Sequence, residues 1–108
     1  MPHNPHRGEV EATLGGEQYH LRLTLGTLAE LEAELRADSL LELLQRFEQG
    51  RFSTRELIAI IAAGLRGAGH DITAEQVARL HHPDGVQGFV RIAGELLAAA
   101  FPDTGEDA

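Results

Sequence analysis

Two adjacent glycines, Gly15-Gly16, place the tightest constraint on how this chain folds. They separate two alternating runs, EVEATL (residues 9–14) and EQYHLRLTL (residues 17–25). A two-residue Gly-Gly connection between alternating segments is a hairpin signal, because the twist-matched turns need positive φ at their central positions. The register test supports it. A two-residue loop pairs Ala12 with Tyr19 and Val10 with Leu21 on one face. The other face pairs Glu9 with Arg22, Glu11 with His20 and Thr13 with Gln18. One face is then apolar and the other is complementary in charge, and a slip of one residue destroys both patterns. A lone two-stranded ribbon is marginal in water, so it must pack on other elements or add strands from another copy.

Downstream the alternation of Leu21, Leu23 and Leu25 runs through Gly26 into helical sequence. Thr27-x-x-Glu30, Ser39-x-x-Glu42, Ser53-x-x-Glu56 and Thr73-x-x-Gln76 match the capping box, and Asp84-x-x-Gln87 is a looser version. These starts predict helices over 28–36, 40–49, 54–66, 74–81 and 86–101. In the second, Leu40, Leu43, Leu44 and Phe47 form a stripe with Leu41 off its edge. In the third, Leu57, Ile58, Ile60, Ile61 and Leu65 share a broad face. Ala59, Ala62 and Ala63 lie behind it, where a neighbour can approach closely, so this is the expected central helix. The last presents Val86, Phe89, Val90, Ala93, Leu96, Leu97, Ala100 and Phe101, with Arg91 and Glu95 facing away. Gly50, Gly67 and Gly69 mark helix ends, and Pro83 stops the fourth helix at or before His82. The expected class is α+β, mostly α: an N-terminal β-hairpin followed by about five short helices in one compact domain over residues 8–101. Residues 1–7 read as a flexible arm and residues 102–108 as an acidic, disordered tail.

Composition narrows the chemistry. At 108 residues the chain is long enough to bury a core without a metal or disulfide, and it contains no cysteine. No apolar run approaches a membrane span, and MPHNPHRGEVEA has no apolar signal region, so the expected location is the cytoplasm. The formal net charge is −8, and all nine basic residues are Arg. An acidic balance repels phosphate backbones and argues against nucleic acid. The Arg-only usage, with abundant Ala, Gly and Leu, fits a GC-rich source.

The reactive inventory is sparse. His81 and His82 are adjacent, about 100° apart on a helix, and lack the i,i+4 spacing of a two-His metal site. His3 has the placement of an N-terminal copper motif, but Pro2 lacks the amide proton which that motif needs. His20 is expected opposite Glu11, and His70 lies in the glycine-rich turn GAGHD. Both serines, Ser39 and Ser53, are assigned as caps, and neither sits in a nucleophile elbow. Glu30 and Glu34 read as a solvated helix face. Gly64, Gly67 and Gly69 follow a helix rather than a strand, the wrong order for a dinucleotide loop. The third and fourth helices could be taken for a helix-turn-helix, but TAEQVARLHH is poor in phosphate-binding side chains. No catalytic, cofactor-binding or metal-binding residue is assigned, and the expectation is a protein without enzymatic activity. What remains is an interaction protein. Leu25, Leu41 and Phe52 are the candidate partner-binding residues, together with the hairpin's free edges. Phe52 has an internal alternative, as the residue that staples the third helix ahead of its cap.

The segments NPHRGEVEATLGGEQYHLRLTLGTLAELEAELRADSL and ELIAIIAAGLRGAGHDIT resemble the small tail protein of the gene transfer agents of alphaproteobacteria. That family is grouped with phage tail-assembly chaperones and also described as a tail tube protein. The resemblance covers about residues 4–101. Its most specific parts are R-G-E-V, L-R-L-T-L-G-x-L-A-E-L-E and G-L-R-G-A-G-H-D; the last helix matches only in pattern. It implies a tail-assembly chaperone that keeps the tape-measure protein soluble by capping apolar helical segments. Other tail proteins are further implied partners. A structural tail component, with a homo-oligomeric ring joined through hairpin edges, is the alternative reading, and a small DNA-binding or regulatory helical domain a third.

Overall fold

The computed structural model describes residues 9–36 and 39–101; the expected arm (1–7) and tail (102–108) lie outside them. An antiparallel hairpin, β1 (Glu9–Leu14) and β2 (Glu17–Arg22), leads into α1 (Leu25–Leu35), α2 (Leu40–Glu48), α3 (Thr54–Gly67), α4 (Ala74–Val77) and α5 (Val86–Ala99). The register is the one the alternation predicts: Glu9 opposite Arg22, Val10 opposite Leu21, Glu11 opposite His20, Ala12 opposite Tyr19 and Thr13 opposite Gln18. Gly15 and Gly16 take φ of 58° and 84°, the paired positive values of a twist-matched two-residue turn. Val10, Ala12, Leu14 and Leu21 point inward and are buried. The turn is tied down by the Gly15 N–H, which donates to the His81 carbonyl at 2.8 Å.

The inward hairpin face lies on α3 and α5, and α3 also packs against α1 and α4, which makes it the central helix. Leu57, Ile60, Ile61 and Leu65 are buried, as are the small residues Ala59, Ala62 and Ala63. Each fully buried Leu or Ile contributes about 1.5–3 kcal/mol from apolar surface removed from water. The helix approaches β2 through two glycines. A Cβ on Gly64 would lie 2.7 Å from Leu96 Cδ1 and 3.3 Å from Leu21 Cβ. A Cβ on Gly67 would lie 1.9 Å from the Arg22 carbonyl oxygen. Four of the five helix starts carry a side-chain cap. Ser39, Ser53 and Thr73 accept from the backbone N–H groups of Glu42, Glu56 and Gln76, as their spacing predicts.

Four local expectations need correction. First, α1 begins at Leu25, and its cap is Thr24 rather than Thr27. The Thr24 hydroxyl accepts from the Thr27 N–H at 3.2 Å, and Thr27 Oγ1 accepts from the Thr24 N–H at 2.7 Å. A threonine thus fills the reciprocal role that the box usually gives to glutamate. Gly26 lies in the helix's first turn, and the strand ends at Arg22. Second, α4 stops at Val77, well short of residue 81. Tertiary contacts claim the following residues: half-buried Leu80 packs on the core and the His81 carbonyl is committed to the Gly15 turn. Third, Asp84 does not cap α5. The helix starts after Gly85, without a side-chain cap, and the Asp84 carboxylate pairs with Arg91 at 2.8 Å. Fourth, Val86 is exposed, and Ile92 takes a place in the α5 core stripe beside Ala93, Leu96 and Leu97.

Candidate functional site

Three large apolar side chains are exposed among the described residues: Leu25 at 86%, Val86 at 69% and Leu41 at 40%. Two of them, Leu25 and Leu41, line one groove. Leu25, Leu28 and Ala29 recur at i, i+3 and i+4 on α1, a helical face distinct from the one that buries Thr27 and Leu31. With Leu40 and Leu41 from the first turn of α2, and Phe101 just past α5, they line a groove of about 490 Å³. Its polar members are Glu32 and Ser39, and the latter is already engaged as the α2 cap.

Phe52, the third candidate residue, lies elsewhere. Its ring stacks on Phe47 at 4.4 Å with the planes 8° apart, and it is half-buried against the core. It borders a second groove of about 550 Å³, with Gln87, Val90 and Arg91 of α5 on the far wall. The two grooves lie at opposite ends of the α2–α5 pair, which runs antiparallel: Phe101 is beside Leu40, and Val90 is beside Phe47.

The third surface is the hairpin itself. The sheet has two strands, so each strand keeps one edge without a strand partner among the described residues. On the solvent face His20 Nδ1 sits 3.4 Å from Glu9 and 3.8 Å from Glu11, and Gln18 Nε2 donates to Glu11 at 3.3 Å. His20 thus reaches diagonally to Glu9 as well as to Glu11 opposite it. Arg22 is exposed and has no ion-pair partner among the described residues. Beside β1 lies a polar cleft of about 400 Å³, bounded by Glu11, Thr13, Asp84, Arg91, Ile92 and Glu95.

Several titratable groups serve the fold. Arg46 donates to both Glu56 carboxylate oxygens, at 2.8 and 3.3 Å, while the Ser53 N–H donates to the same carboxylate at 2.9 Å. The Arg46 hydrogen bond holds the Glu56 carboxyl below the usual carboxylate range, against a smaller opposing effect of partial burial. The same bond raises Arg46 further. His70 meets Tyr19 edge to face at 5.1 Å. His82 Nδ1 accepts the Asp84 N–H at 2.8 Å, and its ring meets Phe89 edge to face at 5.8 Å. Among the described residues no three His, Asp or Glu side chains converge to hold a metal ion. No helix there is long and apolar enough to cross a membrane. With four residues, α4 has a single turn, too short to reach base edges as a recognition helix.

The described residues form a small α+β fold, an antiparallel hairpin followed by five helices, with open hairpin edges, one apolar groove and one of mixed character. The chain belongs to the family described as phage tail tube protein, GTA-gp10, whose model matches residues 7–103. No curated protein and no solved structure matches the chain.

Proposed function

We propose that the protein is a structural tail component of a phage-like particle, a gene transfer agent of the alphaproteobacterial kind, and that it stays in the assembled tail. The observation that carries this reading is the match of residues 7–103 to a tail tube family. The surfaces support it: hairpin edges without strand partners among the described residues and an exposed Leu25–Leu41 groove suit contacts with neighbouring tail proteins. The reading assigns no catalysis, cofactor or nucleic-acid contact to this chain. Its net charge of −8 suits protein surfaces better than phosphate backbones. The subunit is made in the cytoplasm and ends in the particle. Quantitative mass spectrometry of purified particles tests it. A copy number in step with the other tail subunits is expected, and absence from mature particles overturns the reading.

A second reading has its own observation. The face formed by Leu25, Leu28 and Ala29, closed by Leu40 and Leu41, has the shape that receives an amphipathic helix. This favours a tail-assembly chaperone that caps helical segments of the tape-measure protein before the tube forms. Co-expression decides it: recovery of soluble tape-measure protein should rise with this chain and fall back with Leu25→Asp/Leu41→Asp. Unchanged recovery sinks the chaperone reading and leaves the structural one standing.

A further inference from the structure

We infer that the outer edge of β1 pairs with the outer edge of β2 from a second copy of this chain, in head-to-tail fashion. The inference deepens the tail-subunit reading by naming one of its contacts, and rests on it for its setting. The hairpin geometry says which backbone groups are available. In a two-residue hairpin the pair flanking the loop, here Leu14 and Glu17, exchanges its hydrogen bonds, and the pattern then alternates. Glu9, Glu11 and Thr13 on β1, with Gln18, His20 and Arg22 on β2, therefore turn their N–H and C=O groups outward. Among the described residues the only backbone hydrogen bond that joins the hairpin to another element is Gly15 to His81, at the turn. The outward groups of both strands have no backbone partner there. Such an edge templates another strand.

Charge selects the partner edge. The outward-edge residues of β1 carry Glu9 and Glu11; those of β2 carry His20 and Arg22. Joining β1 to β1 of another copy sets carboxylates against carboxylates, and joining β2 to β2 brings the two Arg22 side chains onto one edge; like charges directly opposite are destabilising. Only β1 to β2 of the next copy brings opposite charges together. That arrangement repeats between copies what the hairpin makes internally, where His20 sits within 4 Å of both Glu9 and Glu11. It gives Arg22 a carboxylate partner, and the cleft beside β1 supplies Glu95 as a further one. On β2 the Arg22 carbonyl is backed by Gly67 of α3, so the pairing centres on Gln18 and His20. A contact between unlike edges does not close on itself as a dimer; it generates rings or filaments.

The test is sedimentation of the full chain over rising concentration at low salt. The wild type should associate beyond a dimer. Glu11→Pro removes an outward N–H without breaking a bond inside the hairpin, and should raise the concentration needed at least about tenfold, a change of about 1.4 kcal/mol. Glu9→Arg/Glu11→Arg and His20→Glu/Arg22→Glu should each stay monomeric alone yet associate when mixed, because each then offers the edge charge that the other lacks. Circular dichroism confirms that each variant is folded; Glu11→Pro keeps the test open if a charge variant is not. A monomeric wild type, an unaffected Glu11→Pro, or variants that stay apart on mixing each overturn the pairing. Particle mass spectrometry is independent of all three. A protein found in particles with an inert hairpin edge sinks only the pairing, and one that associates but is missing from particles sinks only the tail-subunit reading.

Discussion

Replacing Gly67 by alanine should destabilise the fold even though alanine is the better helix former. Gly67 closes α3, and its missing side chain lets the helix end lie against the backbone of β2. An added Cβ would fall 1.9 Å from the Arg22 carbonyl oxygen and 3.4 Å from Thr27 Oγ1. A carbon and a carbonyl oxygen come no closer than about 3.3 Å even in favourable contacts, so the atoms must separate by more than 1 Å. The obstacle is backbone, with no rotamer to swing aside, and its chain neighbours Leu21 and Leu23 are both packed on the core. Overpacking costs about 1–3 kcal/mol, occasionally more, and this contact belongs at or above the upper end. The gain in helix propensity returns at most about 1 kcal/mol. A net loss of about 2 kcal/mol lowers the Tm by roughly 8–16 °C for a domain of this size. Gly94 is the control. It lies inside α5, and an added Cβ there would meet nothing within 4 Å. Gly94→Ala should stabilise by about 0.5–1 kcal/mol from propensity alone. Urea unfolding of both variants beside the wild type reads the difference. If Gly67→Ala is as stable as the wild type, the close approach of α3 to β2 is wrong, and the placement of the whole hairpin goes with it.

Thr24→Ala should cost about 1 kcal/mol in urea unfolding, because Thr24 caps α1, whereas Asp84→Ala should change stability by less than about 0.5 kcal/mol, since Asp84 caps nothing and its pair with Arg91 is exposed. Ile60→Ala, at the fully buried centre of α3, should cost about 2–5 kcal/mol and expose the core to dye binding. Glu56 carries an acid signature: a carboxyl held below its usual range stabilises the fold above its unfolded value of 4.5 and loses that contribution as pH falls through the folded value. Glu56→Gln should therefore lower stability at neutral pH and narrow its gap from the wild type below pH 4.5, as read from Tm against pH; a constant gap across that range refutes the assignment. Leu25→Asp/Leu41→Asp should leave stability within about 0.5 kcal/mol, because both side chains are solvent-exposed, so any loss of partner recovery reports on the groove rather than on folding.

The hairpin's register was legible in sequence because period-2 alternation, charge and turn chemistry all point to it, whereas the element that covers its apolar face was not. The helix caps at Ser39, Ser53 and Thr73 were legible for the same reason: a side chain and its backbone target lie three residues apart, so the interaction is local. The misreadings share a different cause. Leu25 continues the strand alternation, and only the hydroxyl pair Thr24–Thr27 ends the strand early; a threonine in the reciprocal position is not the pattern that signals a helix start. The fourth helix has good residues through His82, but the Gly15 turn takes the His81 carbonyl, and that partner lies 66 positions away in the chain. Asp84 has the spacing of a cap and is taken instead by Arg91, one helix face downstream. The groove that Leu25 shares with Leu41 was equally hidden, since it depends on how α1 and α2 come together with the end of α5.

That dependence makes α5 the organising element of the two grooves and of the cleft beside β1. Its first turns border the Phe52 groove through Gln87, Val90 and Arg91. Its middle, Arg91, Ile92 and Glu95, walls the cleft beside β1. Phe101, just past its end, closes the Leu25–Leu41 groove. Fourteen residues at about 1.5 Å each make a rod of roughly 21 Å, held by the buried stripe Ile92, Ala93, Leu96 and Leu97. A change in that stripe therefore displaces all three surfaces at once, whereas changes at Leu25, Leu41 or Glu11 stay confined to one. The three surfaces can be separated by substitution only from their outer walls, and a variant of α5 that loses every contact together says nothing about which of them binds.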